Sequence, residues 1–111
     1  MRYRAICRNN EFARAYRRGK AYVHPQLVLY VNKNRLGHTR VGITATKKIG
    51  KAVVRNRARR VIRAALYGAL PPDVGGYDLV FVARGRTPYC KSTAVQKAAE
   101  KLLAQAGLVR P

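Results

Sequence analysis

The sequence predicts an α+β fold, a single-domain α–β sandwich in which helices pack on a small central sheet. The 111 residues suit one domain with one core, and a hydrophobic content of 48% is usual for a globular protein. Helical and alternating apolar patterns follow each other in the order helix, strand, strand, helix, strand, helix (α-β-β-α-β-α). No linker or repeat interrupts them, so residues 1–111 are expected to form one domain.

The first half of the chain is predicted to contain one helix and two strands. The helix is expected to start at Asn9 or its neighbour, with asparagine as N-cap, and to end at Arg18. Gly19 would then close it in the left-handed conformation. Alternating side chains predict strands over residues 27–31 and 41–46, and the polar loop between them contains a turn glycine. We therefore expect the two strands to form a hairpin.

The next segment, residues 47–66, carries eight Lys and Arg residues and no acidic residue. From Val53 to about Gly68 it has a helical period, and we call this predicted element the basic helix. Its cations lack acidic partners three or four residues away, and several lie in the first turns, where the helix dipole disfavours positive charge. An anionic partner explains such a helix better than a solvated charged face does. The polar side of the helix carries Asn56, Arg59, Arg60 and Arg63.

The second half of the chain is predicted to add a strand and a helix. Residues 77–83 are almost continuously apolar, which indicates a central strand covered on both faces. The last helix is expected to open at Thr93 or at the serine before it, with Thr93 and Gln96 forming a capping box. Its apolar stripe ends before Gly107, which would close it.

Charge indicates the kind of partner. The chain has 24 Lys and Arg residues against 4 Asp and Glu, a formal net charge of +20. Such self-repulsion is relieved by a polyanion, and a phosphate backbone is the commonest one. No apolar run is long enough to cross a membrane and no lipidation signal is present, so a membrane partner is not expected. The absence of a secretory signal favours the cytoplasm, where Cys7 and Cys90 would be reduced thiols.

The sequence offers few groups for catalysis. No Ser/His/carboxylate arrangement or phosphate-binding glycine loop is visible, and the carboxylates do not form a pair that could hold Mg²⁺. This chain is therefore expected to bind, position or neutralise charge rather than to catalyse. The carboxylates are Glu11, Asp73, Asp78 and Glu100.

Two aromatic side chains leave two interpretations open. Phe12 and Tyr16 are four residues apart and share a helix face. They could be core residues, or they could stack on unpaired bases beside the neighbouring arginines.

The basic helix and the segment before it resemble a known family. Residues 47–63, KKIGKAVVRNRARRVIR, are similar to the signature of the protein subunit of bacterial ribonuclease P, which removes the 5′ leader of precursor tRNA. Other segments resemble that family in the same order, whereas residues 86–91 match no motif of it and their role is left open. The matching segments are NEFARAYRRGK (10–20), LVLYV (27–31), RVGITATKKIG (40–50) and YDLVFVARG (77–85).

The resemblance implies a fold and a function. It implies a left-handed strand–basic helix–strand crossover, an exception to the general rule. It also implies that a catalytic RNA hydrolyses the phosphodiester with Mg²⁺. This chain would then be part of an endoribonuclease whose catalytic groups lie in the RNA subunit. Phe12, Tyr16 and Tyr30 match aromatic positions of a cleft for the single-stranded leader. Nine further residues would contact the catalytic RNA or lie at its edge: Lys47, Lys48, Lys51, Arg55, Asn56, Arg57, Arg59, Arg60 and Arg63.

Three other functions fit this sequence less well or no better. A structural ribosomal RNA-binding protein would have the same charge and fold. A DNA-binding regulator is disfavoured because no second helix precedes the basic helix at turn spacing and no dimerisation segment is visible. A protein nuclease is disfavoured by the scarcity of carboxylates.

Overall fold

The computed structural model describes residues 4–6, 8–70 and 75–108. Within them a mixed sheet of five strands, ordered β1–β4–β5–β3–β2, has helices on both faces, which confirms the α+β sandwich. The strands are β1 (Arg4–Ala5), β2 (Lys20–His24), β3 (Leu27–Lys33), β4 (Arg40–Thr44) and β5 (Tyr77–Ala83). The helices are α1 (Asn9–Arg18), α2 (Ala52–Ala69) and α3 (Ser92–Gln105).

Strand β5 is the centre of the sheet, as its apolar sequence predicts. It pairs in parallel with β4 and antiparallel with β3, and the basic helix, α2, makes the crossover from β4 to β5. The expected hairpin between β3 and β4 is wrong, because β5 lies between them. The hairpin is instead formed by β3 with β2, a strand that the sequence did not predict.

The larger core lies between the sheet and helices α2 and α3. Side chains at alternate positions of the three inner strands point to this side, and most of them are buried, as are most of the apolar stripes of both helices. Each such aliphatic or aromatic side chain stabilises the fold by roughly 1.5–3 kcal/mol relative to exposure. The largest of them are Phe81, Leu27, Leu29, Ile62, Leu66, Leu79, Leu102 and Leu103.

Helix α1 lies across the opposite face of the sheet. Phe12 packs against Gly42 of β4 so closely that a Cβ there would lie 2.6 Å from a ring carbon of Phe12. At the other end of the helix, a Cβ on Gly19 would lie 2.3 Å from the carbonyl oxygen of Ala15 and 3.1 Å from that of Val31. Glycine is required at both places, and α1 therefore runs from β4 to β3.

Several details of the helix ends differ from the sequence predictions. Arg8 is the N-cap of α1, and its backbone N–H donates to Glu11 Oε1 at 3.1 Å. Gly19 is extended, with φ −77°, so it serves close packing rather than a left-handed turn. Helix α3 has Lys91 at its N-cap without a side-chain cap, so the Thr93 capping box is wrong.

The end of α3 agrees with the prediction. Gly107 has φ 77°, and the N–H of Leu108 donates to the carbonyl of Leu103 at 3.0 Å, as in a Schellman motif. Cys7 and Asp73 lie outside the described residues.

Arg40 holds α1 on the sheet. Its Nε and Nη2 donate to the two carboxylate oxygens of Asp78 at 2.9 and 2.7 Å, and its Nη1 donates to Glu11. Asn34 Nδ2 also donates to Asp78, at 2.8 Å. Burial would raise the pKa of Asp78, but the hydrogen bonds from Arg40 and Asn34, with the positive charge of Arg40, hold that pKa below its ordinary value.

The lowered pKa of Asp78 predicts a loss of stability in acid. In the unfolded chain Asp78 takes up its proton near pH 4, whereas in the folded chain it does so only at lower pH. The stabilisation is therefore complete above the unfolded pKa and is lost as the pH falls through the folded pKa. Urea unfolding between pH 6 and about pH 3 should show the wild-type free energy of unfolding decreasing towards that of Asp78→Asn.

Glu100→Gln is the matched control, because Glu100 is an exposed carboxylate on α3. This control should keep the acid dependence of the wild type. An Asp78→Asn variant whose stability decreases with acid as steeply as that of the wild type would contradict the assignment.

Candidate nucleic-acid interface

Helix α2 presents a charged face away from the sheet. Its buried stripe, which includes Ala58, Ile62 and Leu66, packs on the larger core, so the opposite side of the helix points to solvent. We call that side the arginine face, formed by Asn56, Arg57, Arg59, Arg60 and Arg63. None of the residues in the first turn of α2 is acidic.

The arginine face contains a side-chain hydrogen bond and two shallow concavities. Arg59 Nη1 donates to Asn56 Oδ1 at 3.0 Å, which fixes one guanidinium along the helix. Asn56, Arg59, Arg60 and Arg63 line one shallow concavity, and Arg57 and Arg60 line an adjoining one that reaches Ser92 at the start of α3. Forked donors spaced along a concave surface match the geometry of a phosphate backbone.

The nine residues predicted to contact the RNA subunit lie on α2 or in the segment just before it, and they are not equally exposed. Seven of them are exposed, and Arg55 and Arg59 are half-buried. Arg55 Nε is buried and has no hydrogen-bond partner among the described residues. Arg55 is thus held against the protein more than its neighbours are. The exposed seven are Lys47, Lys48, Lys51, Asn56, Arg57, Arg60 and Arg63.

A tight turn places the lysines before α2. The segment Lys47–Ile49 is a single 3₁₀ turn, and Gly50 follows it with φ 145°. An L side chain rarely adopts that conformation, and a Cβ at Gly50 would also lie 3.3 Å from the side chain of Val54. Glycine here lets the chain turn from the sheet into α2 while Lys47 and Lys48 stay exposed.

Two of the three predicted cleft residues, Phe12 and Tyr16, lie on α1, and the third, Tyr30, lies on β3 facing that helix; we call their site the aromatic cleft. The rings of Tyr16 and Tyr30 are 5.0 Å apart and nearly perpendicular. The hydroxyls of Tyr16 and Thr44 share a hydrogen bond of 3.1 Å. Tyr16 is 40% exposed, whereas Phe12 packs against the smaller core of Ile6, Ala15 and Val80. Phe12 is thus mainly a core residue, and Tyr16 is the accessible ring.

The floor of the aromatic cleft was missed by sequence reasoning. Thr44, Val82, Val28 and Val23 are successive register partners across four strands and form a row beyond α1. Val23 is 63% exposed, and the other three are half-buried. Their common face follows from the strand order, which local patterns do not reveal.

The carboxylates are also closer together than the sequence indicated. Glu11 and Asp78 meet at Arg40, whose guanidinium donates to both carboxylates. A charged residue in the apolar strand β5 was the available signal, because a buried carboxylate needs a partner. In the parts of the chain that are described, no three His, Cys, Asp or Glu side chains lie close enough to hold a metal ion, and no helix is both long and apolar enough to cross a membrane.

The segment 86–91, whose role the sequence left open, is anchored by Thr87. Its buried hydroxyl donates to the carbonyl of Gln26 at 2.6 Å and accepts from the N–H of Arg84 at 2.9 Å. This ties the connection between β5 and α3 to the β2–β3 turn and leaves Tyr89 71% exposed.

Comparison with known proteins shows the family of this chain. The family model described as Ribonuclease P matches residues 1–107. The chain belongs to the ribonuclease P protein family. It is 42% identical over 109 residues to a ribonuclease P protein component of Clostridium botulinum (strain 657 / Type Ba4), covering 97% of this chain and 98% of that protein.

Solved structures of the family share the fold. The RNase P protein of Staphylococcus aureus superposes with a TM-score of 0.76 at 29% identity, covering 94% of this chain and 95% of that one. The RNase P protein of Thermotoga maritima gives a TM-score of 0.74 at 24% identity, covering 91% and 96%, and supports the fold alone.

The turn before α2 can be tested by Gly50→Ala. Because Gly50 has φ 145°, alanine should destabilise the protein by about 1–3 kcal/mol in urea unfolding. Gly85→Ala is the control, since a Cβ at Gly85 meets nothing within 4 Å. Equal stabilities of the two variants would show that the turn does not need glycine.

Proposed function

We propose that this chain is the protein subunit of a ribonuclease P ribonucleoprotein that removes the 5′ leader of precursor tRNA. Membership of the family supports this function over that of a structural ribosomal protein. The observation that carries the proposal is the separation of two surfaces. The arginine face lies on the α2 side of the sheet, and the aromatic cleft lies on the α1 side.

The arginine face and the exposed lysines before it would bind the catalytic RNA. Their guanidinium and ammonium groups neutralise phosphates and release counterions, so the binding should depend steeply on salt. The aromatic cleft would take the single-stranded leader. Tyr16 offers an accessible ring, and the apolar row on the floor of the cleft can support unstacked bases.

Hydrolysis would be performed by the RNA subunit with Mg²⁺. The carboxylates of Glu11 and Asp78 do not suit Mg²⁺ here, because Arg40 donates to both of them. The chain itself would supply positive charge between two polyanions, which lowers their repulsion and favours precursor over mature tRNA. Its cytoplasmic location stays a prediction.

The proposal is tested by cleavage of a 5′-extended precursor tRNA at low Mg²⁺. Efficient cutting at the mature 5′ end is expected only when the protein and a bacterial ribonuclease P RNA are mixed. Arg60→Gln with Arg63→Gln should weaken binding to that RNA and make the log–log salt slope less steep by about 1.4–1.8, since each lost phosphate contact changes it by about 0.7–0.9.

The matched control is Lys97→Gln with Lys101→Gln, which removes the same charge from exposed positions on α3. It should retain most of the wild-type slope. Cutting by the protein alone would overturn the assignment of the chemistry to RNA. Equal slopes for the two double variants would exclude the arginine face as the docking surface.

A further inference from the structure

A second concave surface lies on the other side of α1 from the aromatic cleft. We call it the basic cleft. It encloses about 510 Å³, within the usual range of ligand sites. Its cations come from three parts of the chain: Arg8 before α1, Arg14 and Arg18 on α1, and Lys33 and Arg35 at the end of β3 and in the loop after it. All five are exposed.

The charge of the basic cleft is unbalanced. Its lining also contains Arg40, Glu11 and Asp78, which form the ion-pair cluster, so six cations face two carboxylates and the net charge is +4. Cations gathered in one concavity repel each other, and an anion bound between them relieves the repulsion. Among the described residues of the lining, Leu36 is the only apolar one, so the cleft suits phosphates rather than bases.

The loop that carries Arg35 is already ordered. Asn34 Nδ2 donates to Asp78 Oδ1 at 2.8 Å and to the carbonyl of His38 at 3.1 Å, and Asn34 Oδ1 accepts from the N–H of Leu36 at 3.0 Å. The backbone N–H of Asn34 donates to Gly76 at 2.8 Å. A ligand therefore meets a preformed cleft and does not have to order the loop.

The basic cleft and the aromatic cleft lie along one path. Asn32, Asp78 and Arg40 are register partners at one end of this sheet face, and Thr44 lies four residues further along β4, about 13 Å away. Helix α1 crosses between the two ends. The turn with Lys47 follows the Thr44 end, so the aromatic cleft is nearer to the arginine face and the basic cleft is farther from it.

We propose that the basic cleft binds the phosphates of the upstream, 5′ part of the same single strand whose bases occupy the aromatic cleft. This inference rests on the proposed function. The end of the leader next to the cleavage site would lie at the Thr44 end, near the catalytic RNA. The strand would then pass over the exposed surface of α1 into the basic cleft.

The test is binding of the reconstituted holoenzyme to two precursor tRNAs. One has a short leader that reaches only the aromatic cleft, and the other has a long leader that also reaches the basic cleft. Arg18→Gln with Arg35→Gln should bind the short-leader substrate like the wild type. For the long-leader substrate its affinity should be weaker and its log–log salt slope less steep by about 1.4, from two single-strand phosphate contacts. Lys97→Gln with Lys101→Gln is the control of equal charge.

Two results would overturn the proposal. A loss of the same size at both leader lengths would mean that the cleft holds another RNA segment, and a loss no larger than that of the control would mean that it holds none. Binding of the wild-type protein to the catalytic RNA is measured separately, without precursor tRNA. Failure of that binding would contradict the proposed function and not this proposal alone.

Discussion

The arrangement of the α1 side depends on one arginine. Arg40 joins Asp78 of the central strand to Glu11 of α1, although these residues are 38 and 29 positions away from it in the chain. Asp78 is 2% exposed, so without Arg40 its charge would be buried and unpaired. Breaking such a pair costs about 3–5 kcal/mol, more than most single surface contacts contribute. The cluster therefore fixes the Glu11 end of α1, while Phe12 and Ala15 hold the helix on the smaller core.

Within the described residues, the other lysines and arginines form no ion pair. Of the 24 Lys and Arg residues, Arg40 is the one that forms ion pairs within the described parts of the chain. The arginine face and the basic cleft therefore stay charged towards solvent, where they repel each other. A protein with basic surfaces on both sides of its sheet is suited to lie between two polyanions. Phosphates bound at each surface relieve the charge repulsion there.

The elements with a long regular pattern of their own were predictable from the sequence. The helix α2, the central strand β5 and the end of α3 at Gly107 depend on local spacing, and the structure confirms them. The neighbours of each strand were not predictable, because β5 inserts between β3 and β4 from more than thirty residues away. Strand β2 was missed because it is only five residues long, KAYVH, and its one apolar face, formed by Ala21 and Val23, is exposed rather than buried. The positions of Phe12 and Tyr16 were found from their shared helix face and were assigned to a cleft by resemblance, whereas their different exposure follows only from the packing of α1.

The most direct test of the central role of Arg40 is native-state hydrogen exchange of Arg40→Met. Arg35→Met, at an exposed position nearby, is its control. The amides of α1 should lose protection in Arg40→Met while those of α2 and β5 keep theirs, because the larger core does not contain the ion-pair cluster. If α1 kept its wild-type protection, or lost it only together with α2, the ion-pair cluster would not be what holds α1 on the sheet.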